Sequence, residues 1–109
     1  MSGAAPEILA TLEAERKVLE NSFARRMREL HVDREEYARL CEALRQLARR
    51  WRGCDLVDRE AAGALQALSM TARDMIPVLT RADPALRDEL EDMGNTLGRL
   101  VRDCYEKGP

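Results

Sequence analysis

Few side chains in this sequence could carry chemistry: it holds one histidine, three cysteines and scattered carboxylates. Histidine titrates near neutral pH, so His31 is the first candidate for a general base. The sequence contains no G-x-S-x-G, H-E-x-x-H, P-loop or G-x-G-x-x-G pattern that would supply a nucleophile or a phosphate cradle. We therefore expect a protein that is not an enzyme, with His31 exposed near a helix boundary.

The cysteines and carboxylates predict neither a metal site nor a cofactor. Cys41, Cys54 and Cys104 are odd in number, far apart and form no C-x-x-C pair, which indicates a reduced cytoplasmic protein. A di-metal bundle would need Glu-x-x-His pairs on two helices, and no such pair occurs. The acidic residues that could suggest such a site are Glu35, Glu36, Glu42, Glu89, Glu91 and Asp92.

The densest basic cluster surrounds the only tryptophan, Trp51. Arginine binds phosphate or carboxylate through paired hydrogen bonds, so a nucleic-acid-associated regulator is one interpretation. The other is pairing inside the chain, since residues 1–54 carry 11 basic and 9 acidic side chains, whereas residues 55–109 carry 7 and 11. We favour the second, because a lone tryptophan is a weak stacking platform. The cluster comprises Arg45, Arg49, Arg50 and Arg52.

Composition predicts the elements that would hold these residues. Hydrophobic residues make up 45% of the chain and charged ones 35%, while aromatic residues reach only 4%. This profile is typical of long helices with charged faces. We predict an all-α antiparallel helical bundle in one domain over residues 7–109, after a flexible N-terminus at residues 1–6. No secretory signal is evident and no apolar run approaches the ~20 residues that span a bilayer, so we expect no membrane partner.

The central hairpin turn of the bundle is predicted at Trp51–Asp55. Gly53 suits the position just past a helix end, and Asp55 can cap the helix that follows. The last helix is predicted to start at Asp83–Pro84, because an N-cap residue is followed there by proline at the first helical position.

The number of helices depends on residues 31–33. Asp33 and Glu36 have the form of a capping box, whereas a heptad pattern of apolar residues continues through this point. A break gives four helices, and no break gives three, with one long helix over residues 7–52. We favour the break.

The apolar face predicted for the first helix consists of Ile8, Leu12, Leu19, Phe23, Met27 and Leu30.

The last helix carries a regular apolar stripe with two glycines four residues apart. Each glycine costs roughly 1 kcal/mol relative to alanine inside a helix. This cost suggests that another helix approaches closely, either within the chain or from a second copy, and Gly63 in the preceding helix suggests the same. The stripe from Leu40 to Trp51 is a second candidate face. We predict partner contacts for Leu90, Met93, Gly94, Leu97, Gly98 and Val101.

Trp51–Arg52–Gly53 lies between two predicted helices in a chain of 109 residues. In this respect the sequence resembles the small WXG helical hairpins of bacterial type VII secretion. The resemblance implies a secreted effector or adaptor that forms head-to-tail dimers. The chain departs from that family in its high charge, its three cysteines and the position four residues after Tyr105, where Pro109 replaces an acid. We keep this family as a minor alternative.

Together these patterns predict a small non-catalytic adaptor, assembly subunit or cytoplasmic chaperone. It would act through helix–helix contacts in which an apolar stripe rimmed by charges takes up a partner helix. The partner would be another protein or a second copy of the chain, which makes a dimer one expected state. A nucleic acid is the alternative partner.

Overall fold

A computed structural model describes residues 4–51 and 59–105 of the chain, and every regular element in these two ranges is helical. The prediction of an all-α bundle is confirmed, in its four-helix form with one short extra helix. The elements in chain order are α1 (Ala4–Glu20), α2 (Ser22–Arg28), α3 (Arg34–Trp51), α4 (Arg59–Ala82), a 3₁₀ turn (Pro84–Leu86) and α5 (Arg87–Tyr105).

The predicted break at residues 31–33 is confirmed. Leu30 adopts the left-handed conformation with φ of 62°, and α3 begins only at Arg34. Asp33 caps α3, because its Oδ1 accepts a hydrogen bond from the Glu36 backbone N–H at 3.0 Å. A single helix over residues 7–52 is therefore excluded. Leu30, predicted to face the core, is instead 58% exposed.

A second break at Asn21 was not apparent from the sequence. Asn21 has φ 54° and ψ 35°, a left-handed conformation that asparagine tolerates better than most residues. In an unbroken helix Leu12, Leu19, Phe23 and Met27 would share one face. The break changes the phase between α1 and α2, so Phe23 and Met27 are buried whereas Leu12 and Leu19 are exposed. The prediction that these two leucines face the core was wrong.

Helices α3 and α5 run side by side in the same direction. Near their starts, the Arg34 guanidinium donates two hydrogen bonds of 2.6 Å to the Glu89 carboxylate. Further along both helices, the Cys104 thiol donates to the Leu44 carbonyl at 3.4 Å. Helix α3 thus shares one long flank with α5 and another with α1.

Two further contacts give the relative directions of α1 and α3 and of α4 and α5. Lys17, late in α1, pairs with Glu36 at the start of α3, so these helices are antiparallel. The Tyr105 hydroxyl at the end of α5 donates to the Ala62 carbonyl near the start of α4 at 2.8 Å, so these two are antiparallel as well. The four long helices form a square in which α3 and α4, although consecutive, occupy diagonal corners within the described residues.

The predicted hairpin turn at Trp51–Asp55 lies almost wholly outside the described residues, which resume at Arg59. The helices on either side of it run in opposite directions, as an up-and-down bundle requires. At the N-terminus, α1 starts at Ala4, within the segment predicted to be flexible. At the predicted start of the last helix, Asp83 caps the 3₁₀ turn, since its Oδ1 accepts a hydrogen bond from the Ala85 N–H at 3.2 Å. Helix α5 follows this turn directly, at Arg87.

The core lies along the middle of the square and is almost entirely aliphatic. Phe23 and Tyr37 add an aromatic contact with ring centroids 5.3 Å apart. Burial, helped by a hydrogen bond with Cys41, raises the pKa of Tyr37 to about 12. The most completely buried large side chains are Val18, Met27, Leu44, Leu47, Leu65, Leu68 and Leu90.

The three described glycines differ in what a side chain would meet. A Cβ on Gly94 would lie 2.7 Å from Ile76 Cδ1, so α4 does approach α5 closely there, as predicted. Among the described residues, a Cβ on Gly98 or Gly63 would meet nothing within 4 Å. Close approach between described helices therefore accounts for Gly94 but not for Gly98 or Gly63.

We expect Gly98→Ala to raise the free energy of unfolding by roughly 1 kcal/mol, because alanine restricts the unfolded chain and removes the helix penalty of glycine. Gly94→Ala should raise the free energy of unfolding by less, since the Ile76 side chain must move away from the new methyl group. In an Ile76→Val background, which removes Cδ1, Gly94→Ala should recover the full gain. Urea unfolding of the four variants measures these differences, and equal effects of the two glycine substitutions in the unchanged background would contradict the contact.

Candidate protein-binding surface

The histidine and the two described cysteines differ in their exposure. His31 is exposed in the connection between α2 and α3. Cys41 and Cys104 are buried and free. Burial raises the pKa of the Cys41 thiol, and it raises that of Cys104 to about 11. Both thiols are therefore protonated and weakly nucleophilic at neutral pH. Cys54 lies outside the described residues.

Basic side chains pair with five of the six candidate metal-binding carboxylates, namely Glu35, Glu36, Glu42, Glu89 and Glu91. Glu89 pairs with Arg34, and Glu91 lies 3.8 Å from Arg87. Within residues 4–51 and 59–105, no group of three or more His, Cys, Asp or Glu side chains could hold a metal ion.

Two arginines of the basic cluster share one carboxylate. Arg45 and Arg49 are exposed on α3, 3.6 and 3.8 Å from Glu42. Both therefore pair with a carboxylate of their own helix. The expected pairing of this cluster with the acidic second half of the chain stays a prediction, since Asp55 and Asp58 lie outside the described residues. Arg50 is half-buried, and Arg52 lies outside the described residues. A nucleic-acid role for this cluster stays a prediction.

The face of α5 predicted to bind a partner contributes mostly to the chain's own core. Gly98 is exposed and Gly94 is half-buried beside Ile76. In the folded bundle the apolar side chains of this face are covered, and so are those of the Leu40–Trp51 stripe on α3. Partner contact with either face stays a prediction. The buried members of the α5 face are Leu90, Met93, Leu97 and Val101.

Exposed apolar side chains are concentrated on α1 instead. Leu9, Leu12 and Leu19 leave 58%, 52% and 44% of their surface accessible. Spacings of three and seven residues place them on one side of the helix, with the exposed Arg16 between them. Burying a leucine side chain contributes roughly 1.5–3 kcal/mol, so three exposed leucines in a row are an unused source of binding energy. We call Leu9, Leu12, Arg16 and Leu19 the outer face of α1.

The opposite side of α1 is held firmly by the bundle. Ala14 and Val18, four residues apart, are 5% and 1% exposed. Between them in sequence, the Lys17 amine donates a hydrogen bond to the Glu36 carboxylate of α3. This hydrogen bond lowers the pKa of Glu36. Helix α1 therefore has two apolar sides, one packed and one open.

A groove of about 330 Å³ runs beside the outer face, where α1 meets the start of α4. Inside it, Glu15 accepts a hydrogen bond from the Trp51 indole N–H at 3.3 Å. Trp51 is itself buried, so the only tryptophan of the chain touches a residue of the groove without being part of the open surface. The groove is lined by Leu12, Glu15, Arg16, Leu19 and Glu60.

Sequence reasoning missed this surface because it assumed one apolar face per helix. Leu12 and Leu19 fit the helical period of Phe23 and Met27, and larger side chains carry more weight in such a pattern than Ala14 and Val18. The available signal was the second pair: an alanine and a valine four residues apart, on the side away from the leucines.

No protein-family model matches this chain, and no curated protein or solved structure was found to be similar to it. The comparisons therefore add nothing to the resemblance to WXG hairpins. Among the described helices, none combines the length and the apolar character that crossing a bilayer requires.

Acid should weaken the contact between α1 and α3 through Glu36. Its pKa is lowered in the fold, so it stabilises the folded state above the ordinary glutamate pKa of about 4.3 and loses this effect as the pH falls through the lowered value. We expect Glu36→Gln to flatten the fall in the free energy of unfolding between about pH 5 and pH 3.

Urea unfolding at several pH values measures this slope. Glu35→Gln is the matched control, since the Glu35 side chain is 85% exposed and pairs with Arg39 of its own helix at 3.9 Å. An identical slope in Glu36→Gln and the unchanged protein would contradict the role of the pair.

Proposed function

We propose that this chain is a small non-catalytic adaptor or assembly protein that binds a helix of a partner protein on the outer face of α1. The observation that carries the proposal is the open row of Leu9, Leu12 and Leu19 on a helix whose other side is already packed. Helix-in-groove recognition uses this arrangement, with apolar anchors at spacings of three, four and seven residues.

The position of the leucines supports binding rather than stability. Leu12 and Leu19 extend over a groove that continues onto α4, so a second helix can lie against two elements at once. A chaperone that holds a partner segment is one version of this function, since a surface made of flexible side chains on a helix accommodates different sequences.

The proposal includes a cytoplasmic setting and no catalysis. Cys41 and Cys104 are free thiols in the core, which suits a compartment where thiols stay reduced. Their raised pKa values make both described thiols weak nucleophiles at neutral pH.

A photoreactive residue at Leu12 tests the proposal in cells that naturally make the protein. We expect a crosslinked adduct with one partner, formed through a segment with an apolar helical stripe. Leu9→Gln with Leu19→Gln should reduce the yield of adduct about tenfold or more, because each lost leucine removes roughly 1.5–3 kcal/mol of burial. Glutamine has nearly the helix propensity of leucine, so the melting temperature should change little.

The matched control places the photoreactive residue at Met70, which is 63% exposed on α4. Adducts of equal yield and identity at Leu12 and Met70, or an adduct at Leu12 that survives the double glutamine substitution, would contradict binding by the outer face.

A further inference from the structure

We infer that the helix bound by the outer face of α1 belongs to another protein and carries lysine or arginine on both borders of its apolar stripe. This inference rests on the proposed function and names the chemistry of the partner. It follows from the charges that surround the leucines.

Carboxylates border the outer face on both sides. On the helical wheel of α1, Glu13 and Glu20 lie along one edge of the leucine row and Glu15 lies along the other. Glu60 of α4 adds a fourth carboxylate across the groove. The one cation within the row is Arg16. A helix placed here would therefore lie between two negative borders.

Lys17 moderates this charge only in part. Its amine lies 3.4 Å from Glu20, but it also donates to Glu36 in the contact between α1 and α3. Among the described side chains of α1 and of the groove, four carboxylates still face only the two cations Arg16 and Lys17. An anionic membrane surface is disfavoured for the same reason, since interfacial helices rely on basic residues beside their apolar face.

The same borders act against a second copy of this chain. In coiled-coil terms, Leu9 and Arg16 occupy one core position and Leu12 and Leu19 the other, so Glu13, Glu15 and Glu20 occupy the flanking positions. Two antiparallel α1 helices would place Glu13 opposite Glu13 and Glu15 opposite Glu15. Two parallel ones would place Glu15 opposite Glu20. Electrostatic repulsion between glutamates at these positions disfavours pairing of two α1 helices.

The dimensions of the surface set the length of the partner helix. Leu9 to Leu19 spans ten residues, or about 15 Å, which corresponds to about three helical turns. The partner segment therefore needs apolar residues at three or four successive core positions. Basic residues at its flanking positions would meet Glu13 and Glu20 on one side and Glu15 and Glu60 on the other, and an acidic residue near its middle would meet Arg16.

Two synthetic peptides test the inference on the full chain. Both are 21-residue helices with the same leucine heptads and no tryptophan, and they differ only in having lysine or glutamate at all flanking positions. Each repels its own copies. Binding is measured by the anisotropy of the labelled peptide and by the fluorescence of Trp51, which reports on the groove through Glu15.

We expect the lysine peptide to bind at least about tenfold more tightly than the glutamate peptide, with an affinity that falls as salt is added. Glu13→Lys with Glu20→Lys and Glu60→Lys should reverse this preference. Glu35→Lys, at an 85% exposed position on α3, is the matched control and should preserve it.

The possible failures are distinguishable. If both peptides bind equally and Leu9→Gln with Leu19→Gln abolishes both, the outer face binds helices but the inference about charge is overturned. A free protein that is dimeric by light scattering, and monomeric after the same leucine substitutions, would overturn it in favour of a second copy. If neither peptide binds, or if the leucine substitutions change nothing, the proposed function fails together with the inference.

Discussion

The left-handed backbone at Asn21 allows α1 and α2 to face the core in different helical phases. One residue with non-helical backbone angles is enough to rotate the side chains of α2 relative to those of α1. The direction of a side chain around the helix axis depends on every residue before it in the helix. Phe23 and Met27 can then fill the core while α1 contributes only Ala14 and Val18. The leucines that a continuous helix would have buried are left on the outside.

The rotation of α1 relative to α2 has two results: small residues of α1 face the core, and its leucines face outward. Lys17, between Ala14 and Val18, donates a hydrogen bond to Glu36 and so links α1 to α3. Glu15 accepts a hydrogen bond from the Trp51 indole N–H. These contacts support α1 on the bundle, and side chains on a helix held in place can bind a partner with little loss of conformational entropy. The proposed adaptor function depends on this support as much as on the leucines.

Local chemistry in the sequence predicted much of the fold. Asp33 and Asp83 cap helices where their neighbours suggested, because capping requires only residues close in sequence. The outer face could not be predicted in this way. A left-handed asparagine has no strong sequence signal, and the choice of buried side depends on how α3 and α4 are placed. The diagonal arrangement of α3 and α4 is likewise a property of the whole bundle.

Thiol accessibility on the two sides of α1 tests the orientation of this helix most directly. Leu12→Cys and Val18→Cys, each in a Cys54→Ser background, can be compared by their rates of reaction with a soluble maleimide under native conditions. The structure predicts a rate at position 12 close to that of an unfolded peptide, and a rate at position 18 about tenfold or more slower, because reaction there requires local opening. Equal rates, or faster reaction at position 18, would contradict the outward orientation of the leucines.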